Sequence, residues 1–289
     1  IGTFGVSYPG FTQILPAPLR SPYVKALVPI ANQEDNYGHL RYNGVLQLQN
    51  AINFMWIGDR TLQDVVKEHI DLEPVYRRLP LVAALDGIAE RPFYRDMVQH
   101  PRCDEFWKSY SMKGRYSEVD VPAYVITGWY DNLLHEGFKC FAGWKDQARS
   151  ADARAHSRLL VGPWTHSLIG SSESFGDVDF GLQAAVDIPE EHLRWYDRRL
   201  RGVDTGIDDE PPVRIFVMGE NAWRSEHEWP LARTRYTPFY LRGRGRANSL
   251  FGDGELSLEK PGEEPADSFA YDPADPVPTW GGQSMFITN

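Results

Sequence analysis

Three side chains in this sequence have the types that nucleophilic catalysis needs: Ser7, Asp131 and His166. A serine hydroxyl is a weak nucleophile until a histidine accepts its proton, and a carboxylate orients and stabilises the imidazolium that forms. A fold that brings these groups together could attack the carbonyl carbon of an ester or an amide. The three are far apart along the chain, so the fold has to supply the geometry.

Ser7 lies in the segment GVSYPG, where small residues flank the serine between a short apolar segment and a predicted helix. This pattern is typical of a sharp strand-to-helix turn that exposes a nucleophilic serine, and the backbone N–H of Tyr8 would then face the oxyanion. On the local pattern alone, a serine in an ordinary tight turn is equally consistent. The two partner residues favour the catalytic interpretation.

Such a turn belongs at the end of a central strand, but Ile1–Phe4 supplies at most the last residues of one. We therefore expect the printed chain to be part of a longer protein whose preceding strands complete the sheet. Without them, strand edges and apolar surface would be exposed. We also expect activity to need that upstream portion, on a longer precursor or on an associated N-terminal chain. Association of this chain into a homo-oligomer stays open.

Asp131 and His166 each follow a predicted strand: Asp131 in GWYDN after VPAYVITG, and His166 in GPWTHS after RLLV. Side chains that follow parallel strands meet at the carboxyl edge of the sheet, so both can reach Ser7. The alternatives are a helix-capping role for Asp131 and His135 as the base. His135 is too near Asp131 in sequence to come from a different strand. The other histidines, His39 among them, are predicted to lie on surfaces or to make local hydrogen bonds.

The composition limits the classes of function. The 289 residues are 42% hydrophobic and carry a formal net charge of −10 with a pI near 5.3. This length predicts two structural units, and the acidic balance argues against nucleic acid, whose phosphates are bound by clustered Lys and Arg. No apolar run has the length of a membrane span, so no membrane partner is expected. Cys103 and Cys140 fit neither a disulfide framework nor a CxxC metal site, which favours a reduced, cytoplasmic setting.

No pattern predicts a metal or a cofactor. Asp177 and Asp179, in the segment FGDVD, could offer oxygen ligands to calcium. The rest of a calcium-loop pattern is absent, so a solvated turn is the simpler interpretation. The segment RGRGR lacks the following helix and the Lys-Ser/Thr pair of a phosphate loop. We expect the protein to need no cofactor.

The order of elements predicts an α/β fold with an insertion. Buried strands alternate with helices, and an amphipathic helix over about Pro189–Leu200 closes the layer. Between the strands lies a long segment with apolar and aromatic residues at helical spacing. Short β runs cut by Pro and Gly, beginning with Val213–Met218, follow at the end. The predicted units are an α/β core (1–31 and 120–205), a helical cap (32–119) and a β-sandwich (206–289).

Three motifs taken together resemble the CocE/NonD hydrolases, the X-Pro dipeptidyl-peptidase-like class of α/β-hydrolases: GVSYPG around Ser7, GWYD around Asp131 and GPWTH around His166. The similarity continues through RWYDRRLRG, VRIFVMG and YDPADPVPT, so it spans nearly the whole chain. The resemblance implies an α/β-hydrolase core, here without its N-terminal strands, an inserted helical cap and a C-terminal jelly roll.

By the same resemblance, Ser7 is the nucleophile, His166 the base and Asp131 its orienting acid. The Tyr8 N–H is one oxyanion donor, and the family's second donor is a tyrosine hydroxyl from an upstream segment. Family members cleave esters or amides, including cocaine-type esters, cephalosporin side chains, α-amino esters and X-Pro peptides. The substrate is therefore expected to be a small-molecule ester or amide.

The resemblance does not favour α-amino esters, because those enzymes have an acidic pair shortly after the catalytic aspartate, whereas Asn132, Leu133 and Leu134 follow Asp131 here. Glu34 and Asp35, at the entrance to the cap, either meet a cationic group or are solvated loop charges. Four aromatic residues are predicted to contact the substrate, although each could equally be a core residue: Trp129, Trp164, Tyr37 and Phe54.

The leading hypothesis is a serine hydrolase that acts on carboxylic esters or amides through an acyl-enzyme. A second enzyme hypothesis is an X-Pro dipeptidyl peptidase, which would cleave dipeptidyl-proline substrates and ignore simple esters. From a different class, a non-catalytic binding protein would keep the hydrolase layer only as a vestige. Reactivity at Ser7 distinguishes the last hypothesis from the other two.

Overall fold

The computed structural model describes residues 1–57, 71–88, 91–171, 174–278 and 283. Parts of the predicted cap (58–70) and of the predicted sandwich (279–282 and 284–289) lie outside these residues.

The strands are β1 (Gly2–Val6), β2 (Ala26–Ile30), β3 (Arg41–Tyr42), β4 (Val45–Leu46), β5 (Tyr124–Tyr130), β6 (Arg158–Thr165), β7 (Ser174–Phe175), β8 (Val178–Asp179), β9 (Val213–Val217), β10 (Ala222–Glu226), β11 (Tyr240–Arg242) and β12 (Glu255–Ser257). The α-helices are α1 (Tyr8–Ile14), α2 (Asn36–Leu40), α3 (Leu48–Ile57), α4 (Glu73–Tyr76), α5 (Pro92–Gln99), α6 (Glu105–Lys108), α7 (Leu134–Ala142), α8 (Ala151–His156) and α9 (Ile188–Arg201). Short 3₁₀ turns cover Ala17–Leu19, Leu81–Ala83, Tyr116–Glu118, His166–Leu168 and Leu182–Ala184.

A central sheet organises the described chain. Its six strands run in the order β1-β2-β5-β6-β9-β10, with β1 to β9 parallel and β10 antiparallel to β9. Strands β2 and β6 are buried along their whole length, as expected for parallel strands covered on both faces. The carboxyl ends of β1, β5 and β6 therefore lie at one edge of the sheet.

Helices cover the two faces of this sheet, and side chains alternate between them along each strand. On one face Leu27 and Val125 pack with Phe141 of α7. On the other face Val28 and Ile126 pack with Trp195 of α9. Helix α9 begins and ends close to the predicted bounds. Asp187 caps its start by accepting the Glu190 N–H at 3.0 Å, and Gly202 ends it with a left-handed φ of 70°.

The strand predicted over Val213–Met218 was assigned to the wrong sheet. Instead of opening the C-terminal sandwich, β9 pairs in parallel with β6 and extends the central sheet, and β10 follows it there. A short apolar run specifies a buried strand but not which sheet it joins. The other predicted domain bounds stay predictions.

The segment between β2 and β5 is helical and has its own core, in agreement with the predicted cap. Leu40, Ile52, Tyr94, Met97 and Trp107 are among the residues buried in it. After β10, the described residues carry a two-stranded antiparallel sheet, β11 with β12. Across the part of the chain that the structure describes, no helix is both long enough and apolar enough to cross a membrane.

Candidate active site

Ser7 sits at a strained turn between β1 and α1. Its φ of 62° and ψ of −125° are unusual for a residue with a Cβ atom. The Ser7 N–H donates to the C=O of Ile30 at 2.8 Å, which ties the turn to the end of β2. The turn predicted from GVSYPG is therefore present.

The small residues of the motif leave room for this turn. A Cβ atom on Gly5 would lie 2.6 Å from the backbone C and O of Pro9, and one on Gly10 would lie 2.9 Å from the Gly5 oxygen. Backbone atoms cannot move away as the end of a side chain can. The close approach of β1 and α1 at Ser7 thus depends on glycine at both positions.

We expect Gly5→Ala to lower the free energy of unfolding by about 1 to 3 kcal/mol, the usual cost of forcing extra atoms into a packed site. Urea unfolding of the variant and the wild type measures the difference. Gly262→Ala is the control, because a Cβ atom there meets nothing within 4 Å. Equal stability of Gly5→Ala and Gly262→Ala would contradict the role given to Gly5.

The structure brings the predicted triad together. His166 Nε2 lies 2.8 Å from Ser7 Oγ, and His166 Nδ1 lies 2.9 Å from Asp131 Oδ1. Asp131 is fully buried and His166 is nearly so. Asp131 follows β5 and His166 follows β6, adjacent parallel strands, so the two side chains meet at the same sheet edge as Ser7.

The structure shows the contacts of Asp131 and His135, for which alternative roles were weighed. Asp131 Oδ1 also accepts the N–H of Leu133 at 2.9 Å, so the turn and the histidine share one oxygen. His135 lies beside Glu136, 3.2 Å from its Oε1, and its ring meets Tyr42 edge-on. His166 is thus the imidazole that the structure places against Ser7.

Tyr8 is the first residue of α1, directly after Ser7. The first N–H groups of a helix have no partner within the helix, so they are free to bind an anion. Its role as an oxyanion donor stays a prediction. The Tyr8 ring is half exposed and contacts Phe54 of α3, with 6.2 Å between the ring centres.

The four aromatic residues predicted to bind substrate lie in different surroundings. Trp164 is fully buried and donates to the C=O of Ala184 at 2.9 Å. Trp129 donates to the C=O of Phe216 at 2.7 Å. Trp164 therefore packs in the core, and Trp129 is partly buried against Phe138 and Trp229. Contact of either indole with a substrate stays a prediction.

Tyr37 packs edge-on against Trp107 within the core of the cap. Phe54 alone among the four has a ring contact with the neighbour of the nucleophile, Tyr8. Its contact with a substrate stays a prediction.

An acidic cluster that the sequence did not reveal joins the start of the cap segment to α7. Carboxylate oxygens of Glu34, Asp35 and Glu136 lie within 4.8 Å of one another, and all three residues are buried. Glu34 accepts the Tyr116 hydroxyl at 2.8 Å, and Asp35 accepts the N–H of Gly38. Of the two interpretations left open for Glu34 and Asp35, that of solvated loop charges is wrong, because both side chains are buried. Burial also raises the pKa of both. The only earlier signal was their closeness in sequence.

A metal ion is one possible occupant for such a cluster, but a protein cation already lies there. The Lys139 ammonium is 2.6 Å from Glu136 Oε1. It supplies the positive charge that buried carboxylates require. The cluster therefore has a counter-ion from the chain itself.

His39, predicted to lie on a surface or to make local bonds, is buried with only 2% exposure. Its Nδ1 has no hydrogen-bond partner among the described residues. Burial lowers the pKa of His39 from an ordinary 6.5 to about 4, against the opposing effect of Glu136. The ring is therefore neutral at neutral pH.

The low pKa of His39 makes folding stability depend on pH. Between pH 7 and 5 the unfolded chain binds a proton at His39 and the folded protein does not. The free energy of unfolding therefore falls as the pH falls. We expect the wild type to lose about 2 kcal/mol more over this interval than His39→Gln. Urea unfolding at both pH values measures the difference.

Glu34 and Asp35 act in the opposite direction because their raised pKa values favour protonation of the folded state. Both carboxyl groups are present in the wild type and in His39→Gln, so their effect cancels when the two proteins are compared. His227→Gln changes an exposed histidine and is the control; it is expected to behave as the wild type. The same pH dependence in the wild type and in His39→Gln would contradict the prediction.

Comparison with known families gives two matches. The X-Pro dipeptidyl-peptidase (S15) family matches residues 1–168, and the X-Pro dipeptidyl-peptidase C-terminal non-catalytic domain matches residues 205–288. Cocaine esterase of Rhodococcus sp. (strain MB1 Bresler) is 36% identical over 308 aligned positions, which cover 99% of this chain and 52% of the esterase.

Solved structures give the same result for the fold. An aminopeptidase from a marine sediment Thaumarchaeota archaeon is 22% identical with a TM-score of 0.74, over 96% of this chain and 45% of that one. An α-amino acid ester hydrolase is 23% identical with a TM-score of 0.68, over 96% and 46% of the two chains. The chain spans about half the length of these relatives. The likeness confirms the predicted fold class.

Proposed function

Because the chain belongs to the X-Pro dipeptidyl-peptidase (S15) family, we propose that it is a serine hydrolase that cleaves carboxylic esters or amides. The resemblance to CocE/NonD hydrolases is confirmed by the family match and by the similarity to cocaine esterase. The observation that carries the proposal is the continuous contact from Ser7 Oγ through His166 to Asp131, at 2.8 and 2.9 Å.

In the proposed reaction, Ser7 Oγ attacks the carbonyl carbon while its proton passes to His166 Nε2. Asp131 accepts the hydrogen bond from Nδ1 and stabilises the imidazolium. The Tyr8 N–H supports the oxyanion of the tetrahedral intermediate. His166 then returns the proton to the leaving alcohol or amine, and the acyl group stays on Ser7. Water attacks the acyl-enzyme by the same route and releases the acid.

An ester with an uncharged acyl group is the preferred substrate class. Glu34 and Asp35 are buried, each already accepts a hydrogen bond within the protein, and the Lys139 ammonium lies beside Glu136 in the same cluster, so we assign them no substrate ammonium. Phe54, beside Tyr8, supplies an apolar contact. The second candidate is an X-Pro dipeptidyl peptidase, which the family match over residues 1–168 favours.

A fluorophosphonate probe tests the proposed function, because it reacts only with an activated serine. We expect one label per chain, on the peptide that contains Ser7, and none after heat denaturation. The probe is applied to the protein that includes the upstream portion, because activity is expected to need it. A folded protein of this length without label would overturn the proposal and favour the non-catalytic binding protein. The kcat/KM values for p-nitrophenyl benzoate and for alanyl-proline p-nitroanilide then separate an esterase from a dipeptidyl peptidase.

A further inference from the structure

Glu136 is a fully buried carboxylate for which the proposed reaction has no chemical use. It lies in the first turn of α7. Its Oε2 accepts the backbone N–H groups of Glu34 at 3.2 Å and of Asp35 at 3.3 Å, and its Oε1 accepts the Lys139 ammonium at 2.6 Å. Both oxygens are thus committed to the protein.

The Glu136 carboxylate stays ionised in this setting. Burial alone would raise its pKa, but the adjacent His135 ring and the Lys139 ammonium outweigh burial and lower the pKa to about 2. Hydrogen bonds to an ionised acceptor are about twice as strong as neutral ones. The backbone at Glu34 and Asp35 is therefore held firmly.

The loop held by this carboxylate supports the nucleophile. It leaves β2 at Ile30, whose C=O accepts the Ser7 N–H. Ala31 then turns the chain with a left-handed φ of 46°. Asn32 lies against the start of α1, since a Cβ atom on Gly10 would come within 3.0 Å of the Asn32 Cβ. The turn that presents the serine rests on this loop.

The same carboxylate lies next to the support of the catalytic acid. Helix α7 starts three residues after Asp131, and Asp131 Oδ1 binds the N–H of Leu133 just before it. Helix α2 sits directly on the carboxylate, because a Cβ atom on Gly38 would come within 2.7 Å of Glu136 Oε1. Glu136 thus joins the loop under the nucleophile to the helix behind the acid.

We infer that Glu136 is a positioning residue: its carboxylate fixes the spacing between the loop that supports Ser7 and the turn that carries Asp131. The inference rests on the proposed function. Without this hold, the 2.8 Å contact between Ser7 Oγ and His166 Nε2 is no longer maintained. A displacement of about 1 Å at reacting groups can cost on the order of 10²-fold in rate.

Glu136→Gln tests the inference, since it keeps the shape of the side chain and removes the charge. The time course of fluorophosphonate labelling gives two quantities, the rate constant and the final labelled fraction of the chains. We expect the labelling rate constant and kcat to fall by about 10²-fold, with the labelled fraction and KM unchanged. A residue that only stabilises the fold would lower the labelled fraction instead.

Glu105→Gln is the matched control. Glu105 forms the same i,i+3 pair, 2.7 Å from the Lys108 ammonium, but its side chain is 88% exposed. We expect its labelling to equal that of the wild type. Gly38→Ala tests the same carboxylate if Glu136→Gln does not fold. The Cβ atom of the new alanine would displace Glu136 Oε1. We expect the labelling rate constant to fall in this variant too.

The outcomes separate the two proposals. A wild-type protein labelled at Ser7, with a wild-type rate constant in both Glu136→Gln and Gly38→Ala, overturns the inference alone. A lowered labelled fraction with an unchanged rate constant also overturns it, because the role is then only structural. A folded wild type without label overturns the proposed function and the inference together.

Discussion

Replacing Ser7 by alanine is expected to lower kcat for ester hydrolysis by on the order of 10⁶-fold. The change removes the Oγ that lies 2.8 Å from His166 Nε2, so the imidazole has no hydroxyl to activate. The remaining rate is expected to come from substrate binding and from oxyanion donors, the role predicted for the Tyr8 N–H. Steady-state hydrolysis of a p-nitrophenyl ester measures kcat, and mass spectrometry measures the loss of fluorophosphonate label.

Ser21→Ala controls for the loss of any serine hydroxyl, because Ser21 is exposed in the loop before β2. It is expected to keep the wild-type kcat and the label on Ser7. If Ser7→Ala kept kcat within tenfold of the wild type, another group would have to be the nucleophile. Retention of the label in Ser7→Ala would identify that group directly.

The triad was predictable from sequence because each member follows a strand of a parallel sheet. Ser7 follows β1, Asp131 follows β5 and His166 follows β6, and parallel strands present their carboxyl ends at one edge. The ends of the predicted strands and the order of the three residues along the chain were enough to predict that they lie close together. Such a site can be predicted without any knowledge of side-chain packing.

The pairing of β9 and the burial of the aromatic residues were not predictable in this way. β9 has the same short apolar pattern whether it joins the central sheet or a sandwich, and its partner β6 is more than 40 residues away. Trp164 stands two residues before His166, yet its ring is fully buried. Closeness in sequence does not fix the direction of a side chain.

The acidic cluster was missed for a related reason. Glu34 and Asp35 follow a strand at the start of the cap, where charged residues are usually solvated. Glu136, whose Oε2 accepts their backbone N–H groups, is about 100 residues away. A buried charge becomes visible only when its partners are known.

Replacing Asp131 by alanine is expected to lower kcat on the order of 10⁴-fold. Asp131 Oδ1 accepts the Nδ1–H of His166 at 2.9 Å, which leaves the Nε2 lone pair facing Ser7 Oγ. Without it, the ring can place its proton on Nε2 and cannot act as a base, and the imidazolium loses its counter-charge. We divide the rate by the fraction of chains that the fluorophosphonate labels in a parallel sample. This normalised kcat measures the effect apart from any loss of folded protein.

Asp152→Ala is the matched control: Asp152 Oδ1 lies 2.8 Å from His156 Nδ1, but the pair is on the surface. It is expected to leave kcat unchanged. A wild-type kcat in Asp131→Ala would mean that His166 is oriented by other contacts.

Asp131→Asn then separates orientation from charge. The amide oxygen of asparagine can still accept both the His166 Nδ1–H and the Leu133 N–H, because both now contact Oδ1, while the amide nitrogen faces Thr127 Oγ1. The ring keeps its productive tautomer and loses only the negative charge beside it. We therefore expect a kcat between those of the wild type and Asp131→Ala. A kcat equal to that of Asp131→Ala would contradict this expectation: either the lost charge accounts for the whole effect, or the amide has turned its NH₂ group toward Nδ1 and holds the unproductive tautomer.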